Sequence, residues 1–182
     1  MKKVALLTFV GLLCATTVYG QAGVIVLAGD AQGLDCNLSD KSPGVCSFYA
    51  VHILTPGAMA CSFSAPAPSC FTGSWLSDAH VFPVTLGDSQ NGVAIGYGEC
   101  RPGPIHVLTL NFFCQGLSQN CCYYSVKPHP DVTSGEVEVV DCNENPLYAR
   151  GGFGIVNSTT DCECGPPTRD STWGKVKSTF GD

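Results

Sequence analysis

Twelve cysteines in 182 residues, eleven of them beyond an N-terminal apolar segment, constrain this chain more than any other feature. Met1, Lys2 and Lys3 form a short basic start. Residues 4–15 follow as an apolar run without charge, and 16–20 read TTVYG. That is the pattern of a secretory leader, with Val18 and Gly20 at the two specificity positions and Gln21 as the new N-terminus. The run is shorter than the ~20 residues a bilayer core requires, so no membrane span is expected in the exported chain. Export places the remaining cysteines in an oxidising compartment, where they read as a disulfide framework rather than as metal ligands.

The eleven are Cys36, Cys46, Cys61, Cys70, Cys100, Cys114, Cys121, Cys122, Cys142, Cys162 and Cys164. Their density is below the ~8–10% of miniature disulfide scaffolds, so bridges should reinforce a hydrophobic core rather than replace it. An odd number predicts five bridges and one thiol left over. Local spacing favours Cys61 with Cys70 across a Pro-rich stretch, and Cys36 with Cys46 across a turn-rich one. Cys121 and Cys122 would supply partners for Cys100 and Cys114, since adjacent cysteines rarely bond to each other. Cys142 would then join Cys162 or Cys164.

Short apolar runs recur between turn signals, the rhythm of an all-β domain. Strands are expected over 23–28, 48–54, 60–65, 80–86, 93–97, 105–113, 122–126, 136–140 and 153–156. The run over 105–113 is too apolar for a strand wetted on one face and should be central. Residues 136–140 alternate cleanly, so Glu136 and Glu138 should line a solvated edge. With 21 Gly and 12 Pro there is little room for helices. The exception is a short C-terminal turn capped by Asp170 or Ser171. The expected layout is a leader over 1–20, one disulfide-stapled β-sandwich over 21–169 (immunoglobulin-like or jelly-roll-like), and a tail over 170–182. Trp173 and Val176 share one face of that tail and form a candidate docking element.

GECRPGPIHVLTLN at 98–111, GEVEVVDCN at 135–143 and TWGKVK at 172–177 resemble a loosely defined group of uncharacterised exported proteins of environmental bacteria. The resemblance implies export and a bacterial source, and no particular activity. Cys61, Cys70 and Cys114 look like additions to that pattern.

Catalytic and metal motifs do not assemble. His52, His80, His106 and His129 have no spacing that would put two imidazoles on one metal. His52 and His106 sit within apolar runs and read as hydrogen-bonded histidines in or beside the core. Cys162-Glu163-Cys164 lacks the spacing of a zinc or redox motif. Asp141, Asn143 and Asn145 resemble the start of a calcium loop, but Pro146 replaces the required glycine, so an Asx turn is expected. No serine elbow or phosphate loop is present. The leader removed, seven basic residues face fifteen acidic ones, a net charge of −8, which argues against nucleic acid as a partner.

Exposed aromatics remain. Trp75, Tyr97 and Tyr148 could stack on a sugar, and Tyr123 and Tyr124 must point to opposite faces of their strand. Asn37 and Asn157 head glycosylation sequons, which matter only in a eukaryotic host. The sequence thus points to an exported, non-catalytic structural or adhesive protein of the cell surface or matrix, without a cofactor. Its partner would be a surface protein or a glycan. A carbohydrate-binding module is the alternative, and a secreted hydrolase the second. An aromatic row on one sheet would favour the former, a cleft with convergent His and Asp/Glu the latter, and a smooth surface with an exposed edge strand or apolar tail would favour assembly.

Overall fold

The computed structural model describes residues 22–163, which are strand, bridge, turn and loop without a helix. The strands are β1 (Val24–Ala28), β2 (Asn37–Leu38), β3 (Gly44–Ile53), β4 (Ala58–Phe63), β5 (Ser74–His80) and β6 (Val84–Asp88). They continue with β7 (Gly92–Arg101), β8 (Ile105–Cys114), β9 (Cys122–Ser125), β10 (Val137–Asp141), β11 (Pro146–Gly151) and β12 (Phe153–Val156). The leader and the C-terminal turn with Trp173 and Val176 lie outside the described residues, as does Cys164.

Nine strands form one sheet in the order β5-β8-β3-β1-β11-β10-β4-β7-β6, and β2-β12-β9 form a second. The end strands β5 and β6 are joined by three residues only. The large sheet therefore comes round on itself and nearly closes. Asp78 in β5 spans the remaining gap, accepting hydrogen bonds from the Ser89 amide at 2.6 Å and the Ser89 hydroxyl at 2.8 Å. The two facing layers of a sandwich are present, but as halves of one continuous sheet, nearer to the jelly-roll expectation than to the immunoglobulin one.

Alternation explains how the halves find each other. In β8, Val107, Leu110 and Phe112 turn inward and are fully buried, while Phe113 faces out. In β10, Val137 and Val139 turn inward from the other half. All belong to one core. At its centre Phe48, Phe71, Phe112 and Tyr124 cluster with ring centroids 5.0–6.1 Å apart. Fully burying one such ring contributes about 2–3 kcal/mol. Tyr124 is buried and its neighbour Tyr123 exposed, as alternation requires.

The chain changes sheets between β11 and β12, at Gly151 and Gly152. A Cβ on Gly151 would stand 2.3 Å from the Val126 carbonyl oxygen, and one on Gly152 would stand 2.6 Å from the Val26 side chain. At Gly151 a neighbouring backbone passes too closely for any larger residue, and at Gly152 the Val26 side chain fills the space.

The bridges differ from the local pairings expected. They are Cys46–Cys114, Cys70–Cys122, Cys100–Cys142 and Cys121–Cys162, and Cys36 is also disulfide-bonded. Cys61 and Cys70 do not pair. Cys61 sits in mid-β4 between Val139 and Ile95, and the following crossover carries Cys70 away to β9. Cys46 bonds Cys114 rather than Cys36, because β3 and β8 are ladder neighbours there. Cys100 takes Cys142, since β7 and β10 flank β4. That leaves Cys121 for Cys162. Sequence proximity was the wrong guide, because neighbours in this sheet are distant in the chain. Cys121 and Cys122 take separate partners, as expected.

Glu138 is also placed differently. Its strand, β10, lies inside the sheet between β11 and β4, so Glu138 marks an outer face and not an edge.

Candidate docking surface

The groups that could do chemistry are scattered. His52 is fully buried in β3, and its Nε2–H donates to the Ala22 carbonyl at 2.6 Å. Burial lowers its pKa despite that bond, and its Nδ1 has no hydrogen-bond partner among the described residues. His106 lies on the neighbouring strand β8, its Nε2 2.9 Å from the Thr109 hydroxyl and its ring against Tyr49. Desolvation lowers its pKa too. His80 is exposed at the end of β5, and His129 lies in a loop, where its Nδ1 accepts from the Asp131 amide. The His129 Nδ1 also lies 4.0 Å from the carboxylate of Asp131, an exposed side chain two residues on in the same loop, which makes a local turn contact and not a buried acid–base couple.

The carboxylates hold loops instead. Asp141 accepts from the backbone amides of Asn143 and Asn145, both at 2.8 Å, which is the expected Asx turn. Asp88 does the same for Gln90 and Asn91. Asp40 is buried and accepts from the Gly116 amide at 2.6 Å, the Ser118 amide at 3.1 Å and the Ser118 hydroxyl. Burial would raise its pKa, but those bonds outweigh burial and hold it below the usual carboxylate range. Asn157 completes the knot, its amide bonded to both the Asp40 and Ser118 carbonyls. The sequon at Asn157 is thus committed to the fold. Among the described residues no group of His, Cys, Asp and Glu is arranged to hold a metal ion.

Cys61 is the free thiol among the described residues. It lies in the core beside Tyr97, whose hydroxyl finds no partner of hydrogen-bonding geometry. Burial pushes the Cys61 thiol up to about 12, so at neutral pH it stays protonated and unreactive.

The aromatic residues do not make a platform. Tyr97 is buried, stacked on Phe82 with centroids 4.8 Å apart, and offers no face to a ligand. Its position on the inward side of β7 is the reason. Trp75 and Tyr148 are exposed, but β8, β3 and β1 separate their strands. A concavity of about 820 Å³ lies between residues 81–83 and the β7–β8 hairpin. Arg101 sits over the Phe82 ring at 5.3 Å and pairs with Glu99 at 2.9 Å. Its charged rim is therefore satisfied internally.

The outer face of β10-β4-β7-β6 is different. Side chains facing out along the paired rows are small: Ala60 opposite Gly96, and Ser62 opposite Ala94. Val84 and Leu86 of the end strand rise along one side, 57% and 70% exposed, opposite Gly96 and Ala94. Val140 and Pro146 rise along the other. The result is a trough of about 240 Å³ with an apolar lining and a single charged residue, Glu138. Sequence reasoning missed this surface. Its signal was the recurrence of Ala, Ser and Gly at alternate positions of two strands, β4 and β7, which reads as nothing until the register aligns them.

No protein-family model and no curated protein sequence matches the chain significantly. Several solved structures share its strand layout loosely. The sixth cohesin of scaffoldin B from Acetivibrio cellulolyticus, solved in complex with a Cel5 dockerin, is 14% identical with a TM-score of 0.47. The alignment covers 74% of this chain and 97% of that one. The third cohesin of ScaC from the same organism, in complex with the ScaB dockerin, is 14% identical over 73% and 97% of the two chains, TM-score 0.41. A non-cellulosomal cohesin from the archaeon Archaeoglobus fulgidus is 11% identical over 76% and 93%, TM-score 0.42. Likeness of this depth assigns no role. Among the described residues no helix is long and apolar enough to cross a membrane.

Proposed function

We propose that this chain is an exported, non-catalytic structural or adhesive domain of the cell surface or extracellular matrix. It would attach to another surface protein through the outer face of β10-β4-β7-β6. The observation that carries this reading is the trough itself: an exposed apolar surface with a floor of Ala60, Ser62, Ala94 and Gly96 and a wall of Val84 and Leu86. Apolar side chains gathered on an exposed, concave surface are a feature of association sites in soluble proteins. Its small-residue floor would admit one or two protruding apolar side chains of the partner. Glu138, the single charge in the lining, favours a basic residue beside them. Four disulfides among the described residues suit the oxidising compartment that such a role requires.

The separation of Trp75 from Tyr148 and the burial of Tyr97 weigh against a sugar platform. The dispersal of the histidines and the internal use of the carboxylates weigh against a hydrolase. The test is retention on native cell-surface material, with a glycan array in parallel. Filling the trough by Ala94→Arg should release the protein at least tenfold with little change in melting temperature. Retention that survives Ala94→Arg, or specific binding on the glycan array, would defeat the protein-docking reading.

A further inference from the structure

A second apolar groove lies on the small sheet, bounded by Val26, Cys36, Tyr123, Phe153 and Ile155, with Glu163 at its rim. Tyr123 and Phe153 are 51% and 46% exposed and meet edge to face, centroids 5.2 Å apart. They are cross-strand neighbours on the outward side of β9 and β12, and both strands are otherwise well buried. Two large rings left open on a short sheet ask for a cover.

We propose that the cover is the chain's own C-terminal segment, residues 173–180. Glu163 lines the groove and is the last described residue, so the chain leading to that segment starts at the groove's rim. Cys36 adds a tether. It is disulfide-bonded, while the other described cysteines either pair among themselves or, as Cys61, are free. Its partner is then Cys14 or Cys164, and export as read from the leader leaves Cys164. A Cys36–Cys164 bridge would fix the first residue of the tail to the groove wall.

Beyond it, Gly165, Pro166 and Pro167 are turn residues able to reverse the chain. Trp173 is nine positions beyond Cys164, a reach of up to roughly 30 Å. Trp173, Val176 and Phe180 are the large apolar residues of this segment, spaced three and four apart so that one helical face carries them all. Because the tail is tethered, its local concentration at the groove greatly exceeds that of any free partner.

The chain has two tryptophans, so in a Trp75→Phe background the emission reports on Trp173 alone. The exported full-length protein should show blue-shifted emission and weak quenching by acrylamide. Phe153→Asp should raise quenching several-fold, with the native disulfide map confirming that the variant is folded. Independently, Tyr123 should resist nitration by tetranitromethane in the parent and react several-fold faster in Trp173→Ser. Emission typical of free indole in the parent, or Tyr123 equally reactive with and without Trp173, would overturn the proposal. So would a peptide map that joins Cys36 to anything but Cys164.

Discussion

The two ends of the barrel are built by different means. Where β3 begins and β8 ends, Cys46–Cys114, Cys70–Cys122 and Cys121–Cys162 gather with the buried Asp40, Ser118 and Asn157 network. Where β3 ends and β8 begins, one bridge, Cys100–Cys142, stands with the buried His52 and the 820 Å³ concavity. The first end pins three loops redundantly and resists change. The second relies on one covalent link and a neutral imidazole. The lesson is that the cysteines are distributed according to how much irregular backbone must be held, since loops have no ladder to satisfy or fix them. The trough lies along the side between the ends, on regular strands that need no staple.

The largest expected effect sharpens that contrast. Replacing Cys100 and Cys142 by serine should cost up to about 4 kcal/mol, from the loop entropy released in the unfolded chain. It should also open residues 101–104 to limited proteolysis. Replacing Cys70 and Cys122 should leave the opposite end protected, because two bridges and the Asp40 network remain. Equal protease sensitivity in the two variants would erase the difference between the ends.

Next in size is Asp40→Ala, which strands two amides and a hydroxyl and should cost about 3 kcal/mol. Its carboxylate has a depressed pKa in the fold, so its contribution is present above the unfolded value near 3.8 and lost as pH falls through the folded one. Thermal melts of the parent should therefore fall steeply below pH 4, and those of Asp40→Asn should not gain a comparable drop there.

His52 acts in a separate window and more weakly. Its folded pKa lies below 6.5 because burial disfavours the imidazolium. The unfolded chain then binds the extra proton between the two values, and stability declines as pH falls from 6.5 toward the lowered pKa. His52→Gln should flatten the melting temperature between pH 7 and pH 5. An unchanged slope would mean that another group carries it.

Much of this was legible in the sequence for definite reasons. β8 and β10 announced themselves through apolar content and strict alternation, and Asp141 through the side-chain chemistry of Asx turns. β5 and β11 did not. SWLSDAH carries a bulge between Trp75 and Ser77 and is largely exposed, so it has no buried face to impose a period. PLYARG opens on a proline and buries one residue, Ala149. The expected strand over 80–86 takes in the end of β5, the bend at 81–83 and the first three residues of β6, because buried Phe82 supplied an apolar signal across the bend. The disulfide pairs were hidden because they follow sheet order, which only long-range register defines. The trough was hidden for the same cause, being made of residues too small to signal anything singly.

Placing a charge on each of two equally exposed leucines separates the trough from the rest of the surface. Leu86 lines the trough and Leu117 lies in a loop at the braced end, both 70% exposed. Neither Leu86→Asp nor Leu117→Asp should change stability by more than about 0.5 kcal/mol. Retention on native cell-surface material should fall at least tenfold for Leu86→Asp and stay unchanged for Leu117→Asp. Equal retention by the two variants, or loss confined to Leu117→Asp, would contradict the assignment of the β10-β4-β7-β6 face as the docking surface.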